Sequence, residues 1–255
     1  MHRLPYLHRL SSEEQGRLKT LSESLLASKS MTGAGDFELT DEIAVEIAIQ
    51  ACLPVLNLSL DLYDDMPGIV VYPDAFVVPY SEVDEAGVVH EGHAPLAGEA
   101  ITAGGVVVLS WADVAVPQSV EQNVVIHEFA HVIDLSDGGA NGCPPFIDRF
   151  HRNLDAGEWR EVFSIAYADL CRRVDRLEQQ LPTDFDPEIM EDHAALAETL
   201  FSQLPIDAYA SEDPAEFFAV ASEVFFVRPE SLLAAYPHVY RLLSAYYRQN
   251  PLAAS

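Results

Sequence analysis

Two segments near the start of the chain carry the hydrophobic spacing of amphipathic helices. Leucines recur every three or four residues between positions 18 and 26, behind a Ser-x-x-Glu capping sequence at residues 11–14. A second apolar series begins at Thr40 and ends in the apolar stretch 53–56. We therefore predict a helix over about residues 12–28 and a second helix, part of the core, that starts at about residue 40.

Three short stretches instead have the composition of β-strands. The segments 68–72, 76–79 and 105–110 are rich in β-branched residues and are bounded by turn-forming residues. We predict that they form one small sheet. Proline, glycine and acidic residues gather in four stretches, which we predict to be loops: about 30–38, 64–74, 84–105 and 136–146.

Beyond residue 119 the chain is dominated by apolar positions at helical spacing. The predicted helices are about 119–134, 157–180, 187–203, 214–226 and 230–248. The predicted fold class is therefore α+β, dominated by helices, with one small sheet. Since 255 residues can form one sizeable core, we predict a single domain over residues 1–255. In it, an N-terminal helical portion of about residues 1–60 packs onto a catalytic portion of about residues 61–250.

The charge of the chain excludes two classes of binding partner. It has 41 acidic and 14 basic residues and a net charge of −27. Such a surface repels nucleic-acid phosphates and anionic lipids, so we predict no direct nucleic-acid partner and no membrane partner. There is no apolar run long enough for a signal peptide or a membrane span, and the three cysteines lack CxxC spacing. The predicted compartment is the cytoplasm, where the thiols stay reduced.

The strongest chemical signal is an HExxH motif formed by His127, Glu128 and His131. Residues four apart share a helix face, so both imidazoles can bind one metal ion, with Zn–N bonds of about 2.0–2.1 Å. Glu128 would flank that ion, take a proton from the attacking water and pass it to the leaving amine. The motif predicts a Zn²⁺ site with Glu128 as general base. The alternative is a pair of surface or core histidines beside a solvated glutamate.

A catalytic zinc ion needs a third protein ligand. Glu216 is a candidate, because a carboxylate on a strongly apolar helix is costly unless it is paired or binds a metal. Glu223 lies seven residues further on, on the same helix face. Spacing alone leaves open a second interpretation, in which Glu216 caps the start of its helix. Other conceivable ligands are His90, His93 and His151.

Several stretches together resemble the Mlc titration factor A family. They are residues 48–56, 107–111, 123–134, 141–142 and 215–226, within a match that runs from about residue 15 to residue 245. That family consists of cytoplasmic zinc-dependent peptidases with aminopeptidase-type activity. Their fold is similar to the catalytic domain of anthrax lethal factor, so the resemblance implies a zincin-like metallopeptidase domain.

The resemblance also implies roles for individual residues. It makes His127, His131 and Glu216 the zinc ligands, and it makes Glu128 the base. Lethal factor has a tyrosine seven residues before its glutamate ligand, and Tyr209 stands at that distance from Glu216. A phenol at this position would donate a hydrogen bond to the oxyanion formed during attack on a peptide. The alternative is an ordinary tyrosine between a loop and a helix.

Asp134 lies one helical turn beyond His131. Two interpretations of this aspartate are open. It either orients the imidazole of His131 through a hydrogen bond or fixes the end of the helix.

The predicted function is hydrolysis of short peptides, or trimming of exposed protein termini, by metal-activated water. Because enterobacterial members of the family bind the repressor Mlc, a transcriptional repressor is a second candidate partner. A rival hypothesis is a non-catalytic regulatory binding protein that retains a structural metal site. Glu128 favours the enzyme, since a structural site has no need of a base. A further hypothesis is a zymogen-like state, in which the N-terminal helix or the loop at about 84–103 covers the cleft.

Overall fold

The computed structural model describes residues 4–74, 77–83, 89–95, 105–115, 122–182, 184–185 and 191–253; for residues 77–83, 89–95, 191 and 192 it describes the backbone. The chain divides into two compact units. The first comprises Met1–Ser119 and Asn123–Val132, and the second comprises Val120–Gln122 and Ile133–Ser255. The expectation of a single domain stays a prediction.

Two helices of the first unit follow the predicted pattern. Helix α1 (Ser12–Ser28) begins with a capping box in which Ser11 accepts a hydrogen bond from the Glu14 amide and the Glu14 carboxylate accepts one from the Ser11 amide. Helix α2 (Asp41–Cys52) is capped by the Thr40 hydroxyl. The two helices pack against each other through their apolar faces. Both predictions are therefore confirmed.

The sheet of the first unit has three parallel strands in the order β1-β2-β5: β1 (Ser30–Gly33), β2 (Gly68–Tyr72) and β5 (Val107–Ser110). Helix α2 lies in the crossover between β1 and β2, as a parallel connection requires. The predicted strands 68–72 and 105–110 are confirmed. The loop prediction for residues 30–38 is wrong over β1, because this short strand is held by backbone pairing with β2 and not by an apolar run.

A separate antiparallel pair is formed by β3 (Val77–Val83) and β4 (Val89–Pro95). The strand predicted at 76–79 therefore exists, but it pairs with β4 and does not join the parallel sheet. The loop prediction for residues 84–105 is wrong over β4. That strand is polar, with histidines and a glutamate among its seven residues, so its composition did not indicate a strand. After the parallel sheet comes the short helix α3 (Trp111–Ala115).

Helices make up most of the described second unit. Helix α4 (Val124–Leu135) contributes residues to both units. It is followed by α5 (Asp148–His151), α6 (Ala156–Glu178), α7 (Glu191–Phe201), α8 (Pro214–Val227), α9 (Pro229–Ala235) and α10 (Pro237–Tyr247). The helix-dominated α+β class is confirmed. In the part of the chain that the structure describes, no helix is both long enough and apolar enough to cross a membrane.

The single helix predicted over 230–248 is wrong, because the structure has α9 and α10 there. Pro237 has no amide hydrogen to continue the helix, and it forces the preceding Tyr236 out of the helical region, with φ −131° and ψ 67°. The capping sequence expected at residues 119–122 lies largely outside the described residues. Asn123 occupies the capping position at the start of α4 instead.

The core of the second unit surrounds α8. Residues 215–227 of this helix are all buried, and α6, α9 and α10 pack against it. An aromatic cluster fills the interior of the unit, with Trp159 stacked on Phe163 at 4.3 Å between ring centroids and Phe163 meeting Phe217 edge-on at 5.9 Å. Such packing holds the first turns of α8 in one place.

Candidate metal centre

The HExxH motif lies on helix α4, and its two histidines and its glutamate are all buried. The exposed fractions are 5% for His127, 0% for Glu128 and 8% for His131. Between the two histidines, the Nε2 atoms lie 3.2 Å apart. Two nitrogen ligands bound tetrahedrally to one zinc ion at about 2.0–2.1 Å would lie about 3.3–3.4 Å apart. The imidazole pair is therefore already spaced as a chelating pair.

The N-terminus of α4 is fixed by a buried hydrogen-bond network in the first unit. Asn123 Oδ1 accepts a hydrogen bond from the Ile126 amide at 2.9 Å. Asn123 Nδ2 donates to Tyr6 Oη and to Gln50 Oε1, both at 2.8 Å, and Tyr6 Oη donates to the same Gln50 oxygen at 2.9 Å. The cap therefore cannot rotate without breaking contacts to two other segments. Sequence reasoning missed Asn123, although an asparagine before an apolar helix is a strong capping signal.

The C-terminus of α4 is fixed by Asp134, which is fully buried. Its Oδ2 accepts hydrogen bonds from the Asn141 amide at 2.8 Å and from the Gly142 amide at 2.7 Å. Of the two interpretations of Asp134, these bonds support the one in which it fixes the end of the helix. Sequence reasoning also assigned no role to Gly142 by itself. The signal that could have found it is the Asn-Gly pair at residues 141–142, one of the stretches that resemble the family.

Glu216 lies in the first turn of α8. Pro214 is the first residue of this helix, and Asp213 supplies the cap: its Oδ1 accepts hydrogen bonds from the Ala215 amide at 2.7 Å and from the Glu216 amide at 2.9 Å. The Glu216 side chain is 6% exposed. Asp213 is therefore the residue whose side chain caps the amides at the start of α8.

One possible ligand atom from each of His127, His131 and Glu216 lies within 4.8 Å of the other two. Two imidazoles and one carboxylate are a donor set that zinc accepts, and a buried carboxylate gains stability beside a cation. All three residues are buried, which keeps competing water away from the donor atoms. The residues present therefore fit a metal ion.

Two other residues with predicted roles have defined positions. Glu128 follows His127 on α4 and is fully buried. Tyr209 is half-buried in a 3-10 turn, Ala208–Ser211, which packs against α8. Asp207 fixes the start of that turn by accepting a hydrogen bond from the Tyr209 amide at 2.9 Å.

His151, a conceivable metal ligand from the sequence, instead makes hydrogen bonds to backbone groups. Its Nδ1 accepts a hydrogen bond from the Ile147 amide at 2.9 Å, and its Nε2 lies 2.9 Å from the Tyr246 carbonyl oxygen, to which it donates. The ring is also stacked on Tyr246, with 4.4 Å between centroids. Burial lowers the pKa of His151 and so favours its neutral form. Of the remaining candidates, His90 and His93 belong to strand β4, for which the backbone is described.

Comparison with known proteins gives consistent matches over nearly the whole chain. The family model of the glucose-regulated metallopeptidases M90 matches residues 1–248. An uncharacterised protein of Synechocystis sp. is 34% identical over 253 residues, which cover 98% of this chain and 82% of that protein. Mlc titration factor A of Yersinia enterocolitica is 34% identical over 252 residues, covering 98% and 84% of the two chains. The protein of the same name from Serratia proteamaculans is 33% identical over 252 residues, covering 98% and 86%.

Proposed function

Because this chain belongs to the M90 family of glucose-regulated metallopeptidases, we propose that it hydrolyses peptide bonds at a zinc ion held by His127, His131 and Glu216. The observation that carries this proposal is the grouping of the three buried residues, each with a ligand atom within 4.8 Å of the others. Zinc is the metal of choice, because tetrahedral sites of imidazole and carboxylate ligands suit it and leave a fourth position open. When bound, such an ion lowers the pKa of water and polarises the scissile carbonyl.

Glu128 is the general base of the proposed reaction. It directly follows the first histidine of the motif and is fully buried, so its carboxylate acts in a medium that strengthens electrostatic interactions. It takes a proton from the attacking water and delivers that proton to the leaving amine. A residue with this task is required for turnover but not for metal binding.

Tyr209 is the proposed hydrogen-bond donor to the oxyanion. Its turn is anchored by Asp207 and packs on α8, the helix that carries Glu216. A phenol held on such a support can stabilise the negative charge that develops on the carbonyl oxygen. Its effect belongs to the transition state, so its loss should lower kcat more than it raises KM.

Strand β5 offers a surface for the substrate backbone. Within the described parallel sheet, β5 pairs with β2 along one edge and forms the end of the strand order. An extended peptide can add to the other edge through main-chain hydrogen bonds. We propose short peptides and exposed protein termini as substrates, with aminopeptidase-type cleavage. The net charge of −27 favours a substrate with a protonated amino terminus.

A second candidate function is regulation of a transcription factor. Two of the relatives compared above carry the name Mlc titration factor A. We propose a transcriptional repressor as a protein partner, alongside the peptide substrate. If that were the whole function, the metal site would be a structural remnant and Glu128 would be dispensable.

The proposed location is the cytoplasm. Cys52, Cys143 and Cys171 are all free thiols. Burial raises the pKa of the Cys52 thiol to about 12 and also raises that of Cys143, so both thiols are protonated at neutral pH. Such cysteines suit a reducing compartment. Cell fractionation that found the protein outside the cytoplasm would contradict this part of the proposal.

The first test is the metal content of protein purified without added metal, with hydrolysis of a panel of fluorogenic aminoacyl and peptide substrates before and after chelation. We expect about one zinc ion per chain and activity that chelation removes and zinc restores. Protein that neither contains nor takes up zinc would overturn the metal site. Zinc without turnover on any substrate would favour the regulatory function.

A matched pair of variants then tests the third ligand. Glu216→Gln should lose zinc, whereas Glu223→Gln should keep it. Both residues are buried glutamates on α8, with exposed fractions of 6% and 5%, so the general cost of the substitution is similar. Equal zinc contents in the two variants would contradict the assignment of Glu216.

A further inference from the structure

The backbone of Gly142 joins three parts of the second unit. Its amide donates a hydrogen bond to Asp134 Oδ2 at 2.7 Å, at the end of α4. Its carbonyl oxygen accepts a hydrogen bond from Trp159 Nε1 of α6 at 2.8 Å. Its Cα faces the backbone of Pro214, the first residue of α8. One buried glycine thus contacts three helices.

The approach of Gly142 to Pro214 leaves no room for a side chain. A Cβ atom on Gly142 would overlap the carbonyl oxygen of Pro214 and lie 2.9 Å from its carbonyl carbon. The atoms in the way are backbone, so they cannot rotate aside. Gly142 also has φ +75°, a left-handed conformation that other residues adopt at a cost. Glycine is therefore required at position 142 for two reasons: it has no Cβ atom to overlap Pro214, and it adopts a positive φ at little cost.

Pro214 and Glu216 belong to the same rigid helical turn. Asp213 caps the turn through the amides of Ala215 and Glu216, at 2.7 and 2.9 Å. The aromatic side chain of Phe217 is buried next to them. A displacement imposed at Pro214 therefore moves Glu216 with it.

Asp134 connects the same glycine to the helix of the HExxH motif. It lies one turn beyond His131 on α4, and its Oδ2 accepts hydrogen bonds from the backbone amides of Asn141 and Gly142 in the loop that follows the helix. A buried carboxylate that accepts two amide hydrogen bonds makes stronger contacts than a neutral acceptor. The loop is thereby tied to the end of the helix that carries two of the three proposed ligands.

We propose that Asp134 and Gly142 are positioning residues for the third metal ligand, since they set how closely the first turn of α8 approaches the end of α4. This inference depends on the proposed metal site. Metal–ligand distances tolerate changes of only about 0.2 Å. Relief of the overlap with Pro214 requires a larger movement than that, so a side chain at position 142 should displace Glu216 from the metal.

The test compares Gly142→Ala with Gly138→Ala. Gly138 lies in the same loop with φ +106°, but a Cβ atom there would meet nothing within 4 Å. Both substitutions strain a left-handed glycine, and only the first pushes on α8. We expect Gly142→Ala to raise the Kd for zinc, measured by chelator competition, by about 10–100-fold, and Gly138→Ala to leave it within about threefold of the unchanged chain. Cobalt-substituted Gly142→Ala should also show altered d–d absorption bands.

A second readout needs no metal. In chelated protein, amide hydrogen exchange of the first turn of α8 should be faster in Gly142→Ala than in Gly138→Ala. The two measurements test the two proposals separately. If the protein without a substitution binds no zinc, the proposed metal site is overturned. The exchange data still decide whether Gly142 fixes the start of α8. Equal exchange in the two variants, or an unchanged zinc Kd in Gly142→Ala, would overturn the positioning role.

If Gly142→Ala does not fold, Asp134→Asn decides the question. This substitution keeps the size of the side chain and a neutral acceptor for the Gly142 amide. We expect it to weaken zinc binding by about tenfold and to accelerate exchange at the same turn of α8. Zinc affinity and exchange equal to those of the unchanged chain would overturn the proposal.

Discussion

Nε2 of His127 lies 3.2 Å from Nε2 of His131, on one face of a buried stretch of helix. Two nitrogen atoms at that separation share one proton or bind one cation. We expect His131→Gln to weaken zinc binding by more than about a hundredfold, because the amide cannot replace the imidazole in this geometry. Metal content and chelator competition measure the effect.

His151→Gln is the matched control for that substitution. His151 is also a buried histidine, but it donates to a backbone carbonyl and accepts from a backbone amide. Its substitution should preserve the zinc content and lower the free energy of unfolding by about 1–3 kcal/mol. Loss of zinc from both variants to the same extent would mean that general destabilisation, and not ligand loss, explains the result.

Glu128→Gln should separate metal binding from catalysis. The amide is nearly the same size as the carboxylate, so α4 should keep its packing, but it cannot accept the proton of the attacking water. We expect full zinc content and a fall in kcat of about 10²–10⁴-fold. Steady-state hydrolysis of the best peptide of the panel, beside metal analysis, is the measurement. A variant with undiminished turnover would remove Glu128 from the mechanism and favour a different base.

The sequence predicted the helices well, because their apolar positions repeat with a clear period. The capping box at Ser11 and the apolar series in α8 were visible from spacing alone. Strand β1 was not visible from spacing, since its four residues of mixed polarity become a strand only through pairing with β2. The break at Pro237 could have been anticipated from proline chemistry, but the apolar pattern continues across it.

The site could be predicted only in part for a similar reason. His127 and His131 are four residues apart, so helix geometry alone brings them together. Glu216 is distant along the chain, and spacing could not distinguish a ligand from a helix cap. The family resemblance selected Glu216 as the ligand. The family itself is confirmed by the match of its model to residues 1–248, whereas the role of Glu216 stays a prediction. The contacts of Asn123 and Gly142 depend on packing between segments far apart in sequence, which no local pattern encodes.

Tyr209→Phe should affect the transition state and little else. Removal of the phenolic hydroxyl should lower kcat by about 10²–10³-fold while KM and the zinc Kd change by less than about threefold. Tyr167→Phe is the control, because the Tyr167 hydroxyl donates to the Ser211 carbonyl at 3.0 Å and so supports the same turn. If Tyr167→Phe lowered kcat as much as Tyr209→Phe, the effect would come from the turn and not from an oxyanion contact.

The buried imidazole of His151 should make the stability of the protein sensitive to acid. Burial lowers its pKa, the charge of Arg248 acts in the same direction, and the hydrogen bond to the Tyr246 carbonyl opposes them. An unfolded histidine takes up a proton near pH 6.5, whereas folded His151 does so only at lower pH. Below about pH 6.5 the unfolded state therefore binds more protons, so the free energy of unfolding decreases as the pH falls towards the folded pKa.

Urea unfolding of chelated protein between about pH 7.5 and pH 5 measures this dependence. One such histidine contributes a slope of at most about 1.4 kcal/mol per pH unit. In His151→Gln this contribution is absent, while every other titrating group is retained, so the difference between the two pH profiles isolates it. We expect the two free energies of unfolding to converge as the pH falls. The protein with His151 loses the stabilisation that comes from the neutral imidazole, and His151→Gln has no such contribution to lose. Parallel profiles over the whole range would show that His151 takes up its proton equally readily in the folded and unfolded states.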